Sequence, residues 1–543
     1  MTQITYFIII IKVFLRNNCF NQIMTDVQTE LYELLKLFDG ICKENDIEYF
    51  LTGGSALGAI RHKGFIPWDD DIDIGITRPE WKKLKPILKE ELPEGILLVC
   101  NDIYPTYHNP VIRIVDTRSA RITRAALGDG CPKGQFLELF IHDPVPKEKV
   151  AEHKKLFCTY CELTTPYLNI LMQKFRLLHG LKDDEIAIAD EYFRIKKTCN
   201  DSELQKLLSK MEEEISRYDA DKSDYFLLGW GTASRYYPIN NYSGMRFEKF
   251  EGLDVPVPIR ACNNLRIDFR NEWTDFPRLS NQTAPHTAVG EPGISGDEYM
   301  KLVAEDISLE ETNEMRLALK DINLKWLKER TDRDKQMLAV RMRHAKSIDS
   351  ASADIEQMYS VGKYEEITDR FSSYIELKKK SLNYTLEEDI SPMTREILAS
   401  SLVMCGRLTD AENVMDVERT MEASPDNSKT ENDIIRLAMA VPAFYDGFES
   451  ESREMLKNVR ADWHKSPSFR KIKARLDISE GIATKDAEKL FEDYSEDAEA
   501  AKIYADVLSL EGKNAEAENL YRQVLEKGNN GMDILDIKKR LSV

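Results

Sequence analysis

Residues 68–76 read Trp-Asp-Asp-Asp-Ile-Asp-Ile-Gly-Ile, with four aspartates in five positions and isoleucine at every second place from Ile72. A solvated acidic loop has no need of that alternation. In an extended strand successive side chains point to opposite faces, so Asp71 and Asp73 share one face while Ile72, Ile74 and Ile76 enter a core on the other. Two carboxylates held that close repel unless a positive charge joins them. Magnesium or manganese, bound through oxygen ligands, meets that need and leaves positions open for substrate phosphates. The plainer alternative is an acidic strand end facing solvent.

The residues around this strand favour a site. In "LTGGSALGAIRHKGFIPW", Gly53 and Gly54 let the backbone approach a ligand closely, and Ser55 could donate to a phosphate oxygen at a helix start. Arg61, His62 and Lys63 bring cationic groups just ahead of the aspartates, which suits a polyphosphate substrate; ordinary surface charge is the plainer reading of Arg61 and Lys63. A third acid is expected from a neighbouring strand. "GQFLELFIHD" supplies Glu138 between Leu137 and Leu139, and an acid in an apolar strand is costly unless a cation compensates it. His142 and Asp143, at the end of the same run, are candidates to orient an acceptor or relay a proton.

These residues need a scaffold. "TDVQTELYELLKLFDGICKEND" carries apolar residues at helical spacing, with Thr25 or Asp26 as N-cap. "IEYFLTGG" reads as a short buried strand, "SALGAIRHKG" as a short helix and "RPEWKKLKPILKEEL" as another helix. "VIRIVDT" and "ARIT" suggest a hairpin, and "QFLELFIHDPV" a further strand. That order predicts a mixed sheet with flanking helices. Beyond about residue 300 helical patterns run to the end, punctuated by Gly362, Gly406, Gly447, Gly481 and Gly512 at spacings of 44, 41, 34 and 31 residues. Such glycines close one helix and start the next, as in tetratricopeptide-like helix pairs, with a plain helical bundle as the alternative.

The bulk composition sets limits. The 543-residue chain has a net charge of −19 and no long basic run, which argues against broad nucleic-acid binding. Nine scattered cysteines, with one CxxC at Cys158 and Cys161, read as reduced thiols of a cytoplasmic protein rather than a zinc site. The apolar stretch "YFIIIIKVFL" is too short to span a membrane, so residues 1–23 are expected to be an N-terminal extension, and a weak membrane anchor is the second choice. Any membrane contact is then peripheral, at the inner face.

"FLTGGSALGAIRHKGFIPWDDDIDIGI" closely resembles the signature of the LicD family, the phosphocholine and polyol-phosphate transferases that include fukutin-related proteins. "FLELFIHD" resembles that family's Phe-Ile-Asp-Ile-Phe-Pro-Leu-Asp strand, and "RFEKFEGLDVPVP" a later segment. The resemblance implies a nucleotidyltransferase-like α+β domain over residues 24–300; the helical pattern beyond it predicts a helical linker over 301–345 and an all-α helical-repeat domain over 346–543. It implies that Asp71, Asp73 and Glu138 hold the metal, and that Gly54 and Ser55 lie along the donor phosphates. Arg61 and Arg113 would steady those phosphates, and Asp69 or Asp71 would accept the proton of an attacking hydroxyl. The implied reaction moves a phospho-alcohol from a CDP-activated donor to a glycan hydroxyl, with the repeats docking a partner protein. Two departures stand out: Glu138 replaces the usual aspartate, and "LRIDFRNEWTDFPR" replaces the usual Tyr-Gly-rich loop. A nucleotidyltransferase acting on a small alcohol or sugar phosphate, and a non-catalytic helical scaffold, are the competing readings.

Overall fold

The computed structural model describes residues 24–105, 111–123, 131–153, 212–228, 235–278, 354–380, 390–415, 432–528 and 530–541, with short stretches between them. The 1–23 extension, the Cys158–Cys161 pair and the 301–345 linker lie outside the described residues. Among the described residues the chain packs as two units, divided so that residues 260–277 belong with the C-terminal helices.

The first unit opens with helix α1, Asp26–Glu44. Thr25 starts it through a capping box: Thr25 Oγ1 accepts from the Gln28 N–H at 3.1 Å, and Gln28 Oε1 accepts from the Thr25 N–H at 3.0 Å. Its apolar stripe, Leu31, Leu34, Leu35, Phe38 and Ile41, is buried. There follow β1 (Phe50–Leu51), α2 (Gly53–Leu57) with a single π-helical turn over Gly58–His62, β2 (Asp73–Thr77) and α3 (Arg78–Glu91). Then come β3 (Ile96–Val99), β4 (Ile112–Asp116), β5 (Ile122–Thr123), β6 (Gln135–Val145), β7 (Tyr225–Leu228), β8 (Arg235–Pro238), β9 (Met245–Phe250) and β10 (Leu253–Pro258).

The main sheet is mixed, with spatial order β1-β2-β6-β4-β3, and β7 pairs with both β6 and β8. The eleven-residue β6 is its centre: β2 runs parallel to it, β4 and β7 antiparallel. Ten of its eleven residues are buried, on both faces of the strand, which is why β6 reads as a near-continuous apolar run. Helix α1 packs against β6. The hairpin expected between "VIRIVDT" and "ARIT" does not form. Thr117 is bonded to the Gly95 carbonyl through both its N–H and its hydroxyl at 2.8 Å, which leads the chain away from a tight return. β4 pairs instead with β3 and β6, and β5 pairs with a short β11, Ala288–Val289.

The second unit holds α4 (Ala261–Phe269), α5 (Ile355–Ser360), α6 (Tyr364–Arg370), α7 (Ser372–Lys380), α8 (Pro392–Met404), α9 (Leu408–Val414), α10 (Asp433–Tyr445) and α11 (Glu449–Lys457). It continues with α12 (Pro467–Ser479), α13 (Lys485–Asp493), α14 (Ala498–Leu510), α15 (Asn514–Lys527) and α16 (Gly531–Leu541). All five punctuating glycines are left-handed, with φ between 73° and 82°. At each, the N–H of the following residue donates to the carbonyl five positions before it, for example Phe448 to Ala443 at 2.8 Å. That closure satisfies carbonyls a helix end would otherwise leave bare, and glycine meets its backbone geometry without a Cβ penalty.

Candidate active site

The register of β2 against β6 builds the site. Asp73 lies directly beside Glu138, and the Glu138 N–H donates to the Ile72 carbonyl at 3.0 Å, which continues the ladder one residue upstream of β2. Asp71 precedes the strand by two residues and shares the Asp73 face. Each of Asp71, Asp73 and Glu138 offers a carboxylate oxygen, and the three lie within 4.8 Å of one another. Asp69, Asp70 and Asp71 form a second grouping of the same tightness.

The Gly53–Gly54 turn closes over these acids. The Gly54 N–H donates to Asp73 Oδ2 at 3.2 Å, and the Asp73 N–H donates to Ser55 Oγ at 2.8 Å. Ser55 is thus a strut that fixes the height of Asp73. Gly53 has φ +52°, and a Cβ there would stand 2.7 Å from Asp73 Oδ2. A Cβ on Gly54 would stand 3.1 Å from Asp69 Oδ2. Only a turn without side chains can approach the acids this closely. From the other side, Gln28 Nε2 on α1 donates to the Asp69 carbonyl at 3.0 Å and holds the aspartate loop down.

Positive charge enters from β4 and from Arg121, just ahead of β5. Arg113 sits opposite Glu138 in the β4–β6 register and donates to Glu138 Oε1 from Nε at 3.0 Å and from Nη2 at 2.6 Å. Arg121, buried, lies 3.2 Å from Asp70 Oδ2. The two guanidiniums pack on the Phe136 ring, 3.9 and 4.6 Å from its centroid. Arg121 and Asp70 escaped the sequence reading. The available signal was a lone arginine in the apolar run Ala120-Arg121-Ile122, which, like Glu138, needs an opposite charge.

The acids remain under-compensated. Burial, with the charges of Asp71, Glu138 and Asp69, holds the Asp73 carboxyl well above the usual carboxylate range. Burial and Asp71 push Asp69 up to about 9. Oxygen-only ligands in a desolvated, negatively charged cluster fit a hard divalent cation.

Other expected residues are placed differently. Arg61 is buried within the π-helical turn. Burial and Arg61 hold His62 well below its ordinary pKa, so it is neutral. Lys63 takes a left-handed conformation and pairs with Glu248 on β9 at 2.7 Å. Asp143 has the opposite parity to Glu138 on β6 and so faces away from the acid cluster. It accepts two bonds from Arg78 at 2.7 Å, and Arg78 also reaches Glu212. His142 shares the Glu138 face but sits among Phe50, Phe226, Tyr237 and Tyr242. Burial lowers its pKa to about 4.

Comparison with known proteins adds a second line of observation. Residues 46–110, which hold the Gly53–Gly54 turn and all four aspartates, match the family described as LicD/FKTN/FKRP, nucleotidyltransferase domain. Over 279 residues the chain is 29% identical to the lipopolysaccharide cholinephosphotransferase LicD of Haemophilus influenzae, which covers 48% of this chain and 96% of that protein. Over 72 residues it is 35% identical to the human ribitol 5-phosphate transferase FKRP, covering 11% of this chain and 14% of that protein. An uncharacterized Rickettsia typhi protein is 39% identical over 74 residues, covering 14% of this chain and 24% of that protein. The named LicD relatives are transferases of alcohol phosphates. No solved structure matches the chain. Among the described residues no helix is long and apolar enough to cross a membrane.

Proposed function

We propose that the first unit is a nucleotidyltransferase-like, LicD-type phosphotransferase that moves phosphocholine or a polyol phosphate from a CDP-activated donor to a hydroxyl of a glycan. The observation that carries this reading is the Asp73–Glu138 register with Asp71 alongside, inside the segment that matches the LicD family. Asp71, Asp73 and Glu138 would hold magnesium or manganese, which when bound offsets the charge on the donor diphosphate and its leaving CMP.

The chain's own groups perform the rest. Arg113, braced by Glu138 and Phe136, would place its guanidinium charge near the phosphates, with Arg121 as a second fixed charge. The Gly53–Gly54 turn, packed close against Asp73 and Asp69, would lie along the donor phosphates. Asp69, beside the Gly54 turn and grouped with Asp71, would take the hydroxyl proton. Ser55 and Gln28 act by positioning. In this reading the C-terminal helix pairs form a tetratricopeptide-like array.

Incubation with CDP-choline or CDP-ribitol, magnesium and a glycan acceptor tests the reaction. Release of CMP with a labelled acceptor is expected. Pyrophosphate release from CTP in place of CMP would convert the assignment to a nucleotidyltransferase. No turnover of either nucleotide would remove the enzymatic reading.

A further inference from the structure

Helix α4 is an unusual helix. Eight of its nine residues, Ala261 to Asp268, are buried, yet they include Asn263, Asn264, Arg266 and Asp268. A helix buried on nearly every side is normally apolar all round, and a polar one must find polar partners. The C-terminal helices supply them. Asp446, in the turn that ends α10, accepts from the Cys262 N–H at 3.0 Å and from the Asn263 N–H at 3.3 Å, so it caps α4 from another part of the chain. Glu451 on α11 takes both terminal nitrogens of Arg260 at 3.0 and 2.6 Å, and Phe448 lies under that guanidinium at 3.9 Å. Arg266 is ion-paired to Glu412 on α9, which has no exposed surface. Beyond α4, Trp273 meets Tyr445 edge to face at 5.4 Å, and Asp275 bridges to Asn530.

We propose that the helical unit works in cis: its groove takes the chain's own segment 260–277 as ligand, and that face is not a docking site for a partner protein. A nine-residue helix has little stability alone in water. Its cap, its buried ion pair and its aromatic anchor all come from the helical unit, so that unit sets the conformation of the segment leaving β10. This assignment does not depend on the identity of the reaction, because its test reads backbone protection and peptide binding.

The test uses the full chain. Arg260→Glu and Glu451→Arg, at positions that keep some contact with solvent, should each speed hydrogen exchange at the amides of residues 262–269 by at least about tenfold, and the double swap should restore protection. A labelled peptide of residues 259–278 should bind in trans to a chain carrying Arg266→Glu and Trp273→Ala, whose own segment is released, and not to the unaltered chain. Unchanged exchange in both single variants, or equal peptide binding to the unaltered chain, overturns the proposal.

Discussion

Replacing Asp73 with asparagine separates the stability of the site from its use. Asparagine keeps an oxygen to accept the Gly54 N–H but removes one of three charges. At the 4.8 Å limit of the cluster, two carboxylates repel by about 3.5 kcal/mol at an effective dielectric of about 20. Glu138 is already offset by Arg113, so the Asp71–Asp73 pair dominates. Water access to the partly exposed Asp73 leaves roughly 2 kcal/mol of that repulsion, or about 4–8 °C in Tm for a unit of this size. The sign depends on pH. Asp69 and Asp73 have carboxyls raised above their unfolded values, so the native state keeps protons that the unfolded chain has released. Metal-free stability is therefore greatest at low pH and falls as pH rises from about 4 toward 9. In chelator, D73N should melt above the unaltered protein by a margin that widens with pH. Magnesium should raise the Tm of the unaltered protein and leave the variant unmoved, and CMP release by the variant should fall at least about 100-fold. A variant that melts at or below the unaltered protein at pH 8 in chelator, and still responds to magnesium, would refute the repulsion argument.

Arg78→Ala strands the buried Asp143 carboxylate and should cost about 3–5 kcal/mol in urea unfolding, with Asp143→Asn added to it recovering part of the loss. Gly53→Ala combines a left-handed backbone with a Cβ at 2.7 Å from Asp73 Oδ2; a loss of about 1–3 kcal/mol is expected, with weakened magnesium binding by calorimetry. His142, neutral down to about pH 4 when folded, contributes stability that is fully present above about 6.5 and is lost as pH falls from there toward 4. His142→Phe should flatten that acid limb in urea midpoints measured between about pH 4.5 and 7.5.

Much of the site could be read from residue type and spacing. The alternation of Asp71 and Asp73 with Ile72, Ile74 and Ile76 assigned their faces, because a strand repeats every two residues whatever its neighbours. Glu138 stood out because a charge inside an apolar run needs a partner. The glycines from Gly362 to Gly512 announced left-handed helix closures, since a left-handed closure carries no Cβ penalty for glycine. Other features depended on contacts between distant segments. The bare sequence "HD" within β6 says nothing of Arg78, which neutralises Asp143, or of the aromatic cluster around His142. Ser55 also braces Asp73, because the β1–α2 turn brings its hydroxyl under that backbone. Arg121 meets Asp70 across about fifty residues of sequence, a pairing that spacing alone does not reveal. The polar helix α4 is buried only because Asp446, Glu412 and Glu451, far along the chain, satisfy it. Local periodicity determined which residues face together. Pairing across the sheet and charge compensation across the helical unit, set by long-range packing, decided which of them meet.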